Sequence, residues 1–280
     1  MIMDFTRINV KATEVTPEMA REFLTHNVSN RRLDRHTVAL YSRMLSSGLF
    51  RLSNDAICFD LHGTLLNGQH RLTACVETGI PFPCLVARGV PTESYVIMDN
   101  GKNRSASDVL YTQDVKFATV IAAAIRRYIN LCRHLASIGE ISGSSQKTAN
   151  AEIETEYNNN AGFWSATSKW AANTSAHSKW KLLKSSEIAG VAAYLVLGKN
   201  HDAERVRNFF EMVEGRQMPT ASVITLLQQK LNDSKRNPMR RLLPFVRQKL
   251  LIKAWNAYVT GKEYQNFFYN EKSDKDLWFV

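Results

Sequence analysis

No apolar run in this sequence approaches the ~20 residues that a bilayer-spanning helix needs, and only 4 cysteines occur among 280 residues. The first absence speaks against a transmembrane helix. The opening Met-Ile-Met-Asp-Phe-Thr-Arg also lacks the apolar core of a secretion signal, so the protein is expected in the cytoplasm. Cys58, Cys75, Cys84 and Cys132 lie among apolar neighbours, without Cys-x-x-Cys spacing and without a histidine at ligand spacing. That pattern predicts reduced, buried thiols and argues against a zinc site. A Gly-x-x-x-x-Gly-Lys-Ser/Thr loop is missing too, which removes the Walker route to nucleotide binding. What is present is a globular composition, 44% hydrophobic and 10% aromatic, in a chain long enough for one or two cores.

The most informative stretch is Gly63-Thr-Leu-Leu-Asn-Gly-Gln-His-Arg-Leu72. Ala56-Ile57-Cys58-Phe59 reads as one strand and Thr64-Leu65-Leu66 as a second, while Leu72, Ala74, Cys75 and Val76 give the buried face of a helix ending at Gly79. Asn67-Gly68 therefore sits at a strand-to-helix joint. Gly68 lets the backbone turn tightly and approach a ligand. The first helical amides lack intrahelical partners and carry the positive end of the helix dipole. His70 and Arg71 add donors, and an arginine can grip two phosphate oxygens at once. Asn-Gly is equally a hairpin-turn signal, and a His-Arg pair can be a solvated helix start. The phosphate reading expects Arg71 to hold ligand and to be dispensable for folding.

Asn67-Gly68-Gln69-His70-Arg71 resembles the phosphate-binding motif of the ParB/sulfiredoxin superfamily, in the phage and bacterial variant with an Asn- or Asp-Gly-Gln-His-Arg-Leu signature. Val15-Thr16-Pro17-Glu18-Met19-Ala20, Asn30-Arg31, and the run from Met98-Asp99-Asn100-Gly101 to Arg104 and Asp108 fit the same pattern, so the likeness covers about residues 13–112. It implies an α+β fold with a small mixed sheet over residues 1–114 that binds a nucleoside triphosphate, ATP or CTP, with Mg2+ as its companion ion. A phage-encoded member would work in the host cytoplasm. Sulfiredoxins carry their reactive cysteine where this chain has Gln69, so sulfinic-acid reduction is not expected. Partition-type ParB proteins bind CTP through Gly-Glu-Arg-Arg, against Gly68-Gln69-His70-Arg71 here. Free-serine kinases of the superfamily have Gly-His-His-Arg, which implies that phosphoryl transfer is within its chemistry.

Charge divides the chain in two. Residues 1–115 hold 12 basic and 12 acidic residues, so the whole formal +10 falls in residues 116–280, with 24 and 14. Within that half Lys230, Lys235, Arg236, Arg240, Arg241, Arg247, Lys249 and Lys253 face one acid, Asp233, over residues 230–253. Lys235, Arg236, Arg240, Arg241, Arg247, Lys249 and Lys253 are the candidate DNA contacts, with Trp255 and Tyr258 nearby. A solubilising helix face would look the same. Helical spacing marks residues 115–137, 151–172, 185–198, 201–215, 219–233 and 245–260, so residues 115–280 are expected to form a basic, all-helical domain. Gly139–Asn150 reads as a connection. Trp164, Trp170 and Trp180 are read as packing residues, with stacking on an unpaired base as the other use of an indole.

Candidates for chemistry are fewer. His70 would bind phosphate or stabilise transition-state charge, and Asp55 is the second catalytic candidate. Asp60 and Asp99, at the ends of the strands read at Ala56–Phe59 and Tyr95–Met98, are weak metal candidates and equally good turn residues. Asn103 and Arg104 would close over the ligand held by Asn67, Gly68, Gln69, His70 and Arg71, or simply start the next helix. The resulting expectation is a nucleotide-dependent phosphotransferase or nucleotide hydrolase acting on DNA, for example a kinase of a hydroxylated base. The alternatives are a non-catalytic ParB-like DNA-binding regulator or nucleotide-switched clamp, and a small-molecule kinase. Oligomerisation stays open.

Overall fold

The computed structural model describes residues 7–28, 30, 32–97, 104–136, 147–270 and 274. They belong to two compact units, residues 1–104 with 145–152, and residues 105–144 with 153–280. Among the described residues the protein is α+β, with one four-stranded mixed sheet and eleven α-helices. No helix among them is long and apolar enough to cross a membrane.

The first unit is built on a sheet of order β1-β4-β2-β3. Strand β1 (Asn9–Val15) runs antiparallel to β4 (Phe82–Val90), from Asn9 opposite Arg88 to Val15 opposite Phe82. Strand β2 (Ile57–Asp60) pairs parallel with β4 and antiparallel with β3 (Leu65–Asn67). Ile57, Phe59, Phe82, Cys84 and Val86 alternate inward and meet Ala20 and Phe23 of α1 (Pro17–Thr25), Val38 and Leu45 of α2 (Arg35–Ser46), and Leu72, Ala74 and Cys75 of α3 (Gln69–Thr78). Local chemistry starts these helices. The Thr16 hydroxyl accepts from the Met19 amide (3.3 Å) with Pro17 in the first turn, and Asp34 Oδ1 accepts from the His36 amide (3.0 Å). The strand expected at Tyr95–Met98 is instead a 3-10 turn over Thr92–Ile97, because Pro91 closes β4 and its carbonyl takes the Ser94 amide (2.9 Å). Met98 lies outside the described residues.

The second unit consists of helices and their connections, with no strand among its described residues. Helix α4 (Ala106–Thr112) belongs here, although the sequence places it with the first domain, and Ser105 and Asp108 close a reciprocal capping box at its start. It packs on α5 (Ala118–Ala136). The helix expected over 151–172 breaks at Asn160 into α6 (Asn150–Asn159) and α7 (Ala161–Ala176). Then come α8 (Ser185–Ala193), running on into a π-helical turn at Tyr194–Gly198, α9 (Ala203–Val213), α10 (Ser222–Arg236), a 3-10 turn at Pro238–Arg240, and α11 (Pro244–Thr260). Residues Glu187–Ala193 of α8 are all buried, as befits a central helix. Gly190 makes that possible, since a Cβ there would lie 2.8 Å from Arg127 Cβ and 2.9 Å from the Ala124 carbonyl of α5. Trp164, Phe209, Phe210 and Trp255 fill the core, so Trp164 and Trp255 have no ring face for a base. Of the connection read at 139–150, residues 139–146 lie outside the described set, and 147–149 count with the first unit.

Candidate functional site

The motif forms the expected strand-to-helix joint. Asn67 ends β3, Gly68 takes φ +115°, and Gln69 opens α3, whose first i to i−4 bond runs from the Leu72 amide to the Gly68 carbonyl (3.0 Å). A Cβ at Gly68 would stand 2.9 Å from Ile57 Cγ1 in the sheet. Gly68→Val should therefore destabilise the first unit by about 2–4 kcal/mol, through left-handed backbone strain and overpacking. A thermal melt of the variant within a degree or two of the parent's would disprove that account.

Gln69, His70 and Arg71 are all buried, at 6%, 8% and 4% exposure. Their partners lie in two directions. Toward residues 27–34, Asn27 Nδ2 donates to Gln69 Oε1 (3.2 Å), Asn30 Nδ2 donates to Asn27 Oδ1 (2.6 Å) and to the Leu65 carbonyl (2.6 Å), and the Asp34 amide donates to His70 Nε2 (3.0 Å). Because Nε2 accepts, His70 is neutral and carries its proton on Nδ1. His70 is thereby a binding group rather than a base acting through Nε2. Asp34 is itself engaged, its Oδ2 receiving Lys147 Nζ at 2.7 Å and Thr37 Oγ1 at 2.6 Å. The Lys147 and Thr37 hydrogen bonds hold its carboxyl far below the usual carboxylate range. Lys147 thus brings a distant, half-exposed cation to the α2 cap that touches His70.

In the other direction Arg71 reaches the entry to β2. Its guanidinium donates to the Asp55 carbonyl, to the Ala56 carbonyl (3.0 Å) and to Cys84 Sγ (3.4 Å), and pairs with the Asp55 carboxylate (3.2 Å). Asn67 Nδ2 reaches the same dipeptide, at Asp55 Oδ1 (3.1 Å) and the Ala56 carbonyl (3.3 Å). This corrects the expectation that Arg71 is spare for phosphate. The sequence could not show it, because Asp55 and Ala56 meet the motif only once β2 lies beside β3.

The acidic candidates are also accounted for. Asp55, half-exposed, is the counter-ion of Arg71. Asp60 organises the β2–β3 turn, with Oδ1 accepting from the His62 (2.9 Å) and Thr64 (2.8 Å) amides and Oδ2 from the Thr92 hydroxyl (3.1 Å). Burial pushes its carboxyl up, but those hydrogen bonds outweigh it and leave it below its ordinary value. Asp60 thus serves as a turn residue, the alternative to a metal ligand. Among the described residues no three His, Cys, Asp or Glu side chains are grouped to hold a metal ion. Asp99 and Asn103 lie outside the described residues. Arg104 is exposed, and its carbonyl accepts from Asn150 Nδ2 (2.7 Å). All four thiols are free, and burial raises each of them, Cys75 to about 11, which keeps them protonated at neutral pH.

The candidate DNA contacts separate into two groups. Lys249 and Lys253 are buried at 7% and 6% exposure. Lys249 Nζ donates to Tyr269 Oη (2.7 Å), while Lys253 Nζ pairs with Asp274 (2.8 Å) and donates to the Phe268 carbonyl (2.8 Å). Arg247 forms an inward ion pair with Glu187 (2.9 Å) and donates to the Leu182 carbonyl (2.7 Å). These three hold the fold, against the expectation that they contact phosphate. Lys235, Arg236, Arg240 and Arg241 stay exposed at the end of α10 and the turn after it. Arg240 pairs with Asp233 (3.0 Å) and, with Lys230, Ser234 and Leu242, lines a recess of about 310 Å3. Comparison with protein-family models, with curated proteins and with solved structures finds no match for this chain.

Proposed function

We propose that the first unit is a ParB/sulfiredoxin-type nucleotide-binding unit, and that the protein is a nucleotide-dependent phosphotransferase or nucleotide hydrolase acting on DNA through its basic helical unit. One observation carries this reading. Three consecutive polar side chains, Gln69, His70 and Arg71, are buried at the opening of α3 behind a left-handed glycine. Their partners, Asn27, the Asp34 amide and the Asp55 and Ala56 carbonyls, fix the turn and the helix start in one geometry. A preorganised helix start, with its first-turn amides and the positive end of the helix dipole, suits an anion such as a nucleotide phosphate. The support for DNA is the exposed cationic group Lys235, Arg236, Arg240 and Arg241. Asp55 as catalyst, Mg2+, and the choice between ATP and CTP belong to the same proposal.

The engaged Nε2 of His70 favours one second reading, a clamp or regulator that binds nucleotide as a switch without turning it over. Labelled ATP and CTP incubated with the intact protein, with and without unmodified or hydroxymethylated DNA, separate these readings. Release or transfer of label that depends on DNA is the expected result, binding without turnover identifies the switch, and turnover indifferent to DNA identifies a small-molecule kinase. Calorimetry that detects no nucleotide affinity, with or without DNA and divalent metal, overturns the nucleotide reading altogether.

A further inference from the structure

Between α7 and α8, residues 178–183 form a loop held more firmly than a connection requires. Glu214, fully buried just past α9, accepts from the Leu182 (3.2 Å) and Leu183 (2.7 Å) amides and from the Ser178 hydroxyl. Ser178 Oγ in turn accepts from the Trp180 (3.1 Å) and Lys181 (2.6 Å) amides, and the Lys179 amide donates to the Glu214 carbonyl (3.1 Å). Lys181 is held at φ +49°. What this scaffold presents outward is Lys179-Trp180-Lys181, all exposed.

Trp180 differs from the other described tryptophans. Trp164 and Trp255 are fully buried and Trp170 donates to Glu211 (2.8 Å), whereas Trp180 is 42% exposed. Its pyrrole edge rests on Gly215, where any Cβ would collide with Nε1 and Cδ1, so the ring is positioned and not loose. Lys179 Nζ lies 5.0 Å from the ring centroid, and Lys235 Nζ donates to the Trp180 carbonyl (3.3 Å). Lys184 is exposed at the end of the loop, and residues 176–184 contain no acid. A fixed, exposed indole among cations has the two elements that unpaired strands use, a face on which a base stacks and charges for the flanking phosphates. Bases in a duplex have their faces covered by neighbours and cannot use it.

We propose that this loop is a contact site for single-stranded nucleic acid, with an unpaired base stacked on Trp180 and Lys179, Lys181 and Lys235 against the adjacent phosphates. The inference rests on the reading of the second unit as the nucleic-acid-facing half and narrows it to unpaired strands. The preformed loop means that little ordering entropy opposes binding.

The test uses the full chain with a fluorescent oligothymidylate, a blunt duplex of equal length and heparin, read by polarisation and by quenching of intrinsic tryptophan emission. Trp180→Ala should weaken oligothymidylate binding roughly tenfold or more and remove most of the quenching, while Trp180→Phe retains most of the affinity. Duplex and heparin binding should barely change in either. The pair Lys179→Gln and Lys181→Gln, which leaves the loop's hydrogen bonds intact, should flatten the single-strand salt slope by about 1.4, and decides the matter if Trp180→Ala melts early. Oligothymidylate affinity unchanged in folded Trp180→Ala, or an unchanged slope in the lysine pair, overturns the proposal. If duplex binding is then still lost on neutralising Arg236, Arg240 and Arg241, the broader DNA reading survives it. An intact protein that binds none of the three polyanions at low salt ends both.

Discussion

Replacing Arg247 by Met should lower stability by about 3–5 kcal/mol, because it strands the buried Glu187 carboxylate and leaves the Leu182 carbonyl without its donor. In a chain of this size that is a loss of roughly 10 °C in the melting temperature of the second unit. The pH dependence adds a sharper check. Burial pushes the Glu187 carboxyl up, but hydrogen bonds and charge from Arg247, the Lys184 amide and the charge of Arg127 outweigh it and hold it below its ordinary 4.5. A depressed acid contributes stability that is present above 4.5 and lost as the pH falls through the lower folded value. Without Arg247 burial is left unopposed by its strongest partner, the folded carboxyl takes up a proton more readily than the unfolded one, and the variant should gain stability as pH falls toward 4.5. Melts from pH 7 to 4 check the sign. Neutralising the exposed Lys235, Arg236, Arg240 and Arg241 should leave the melt nearly unchanged. If Arg247→Met weakens DNA binding with an unaltered melt, its inward role is wrong.

Arg71→Met is expected to cost the first unit about 2–4 kcal/mol, a large effect for a side chain that a sequence motif would assign to ligand. The Asp55 ion pair contributes little of this, since the carboxylate is half-exposed and solvent-screened. The cost comes from the Asp55 and Ala56 carbonyls, which lose charged donors, and from the space left by a buried guanidinium. Arg71→Lys keeps the charge without the planar fork and should recover only part of the loss. Amide exchange across Ile57 and Cys58 should accelerate in both variants, because the clamp holds the entry to β2. A variant that melts like the parent and loses only nucleotide affinity would restore Arg71 to the phosphate.

How much of this the sequence carries depends on the range of the interaction. The Gly68 turn and the Gly79 helix end are legible because each is set by residues that lie next to one another in the chain, as are the caps at Thr16, Asp34 and Ser105 that the structure adds. The apolar stripe of α5 and the β2-turn-β3-turn-α3 order are local in the same sense. Strands β1 and β4 left no such mark. Pro83 and Gly89 interrupt β4, β1 is an exposed edge, and the two pair across more than sixty residues. Trp180 is read among the packing residues because nothing nearby in the chain shows that its ring lies against Gly215 and stays half in solvent.

By itself the sequence determined the α+β class, the helical second half, the position of the Asn67–Arg71 joint and the amount of positive charge. Only the tertiary structure decided which cations are available. Arg71 finds its carbonyl partners 15 and 16 residues away, Arg247 its carboxylate 60 away, and Lys253 its own 21 away. An arginine bound for an internal carbonyl and one bound for a phosphate have the same local pattern. Their fates differ only in what the folded chain brings to the guanidinium, because an ion that leaves water must be met by a partner of matching geometry.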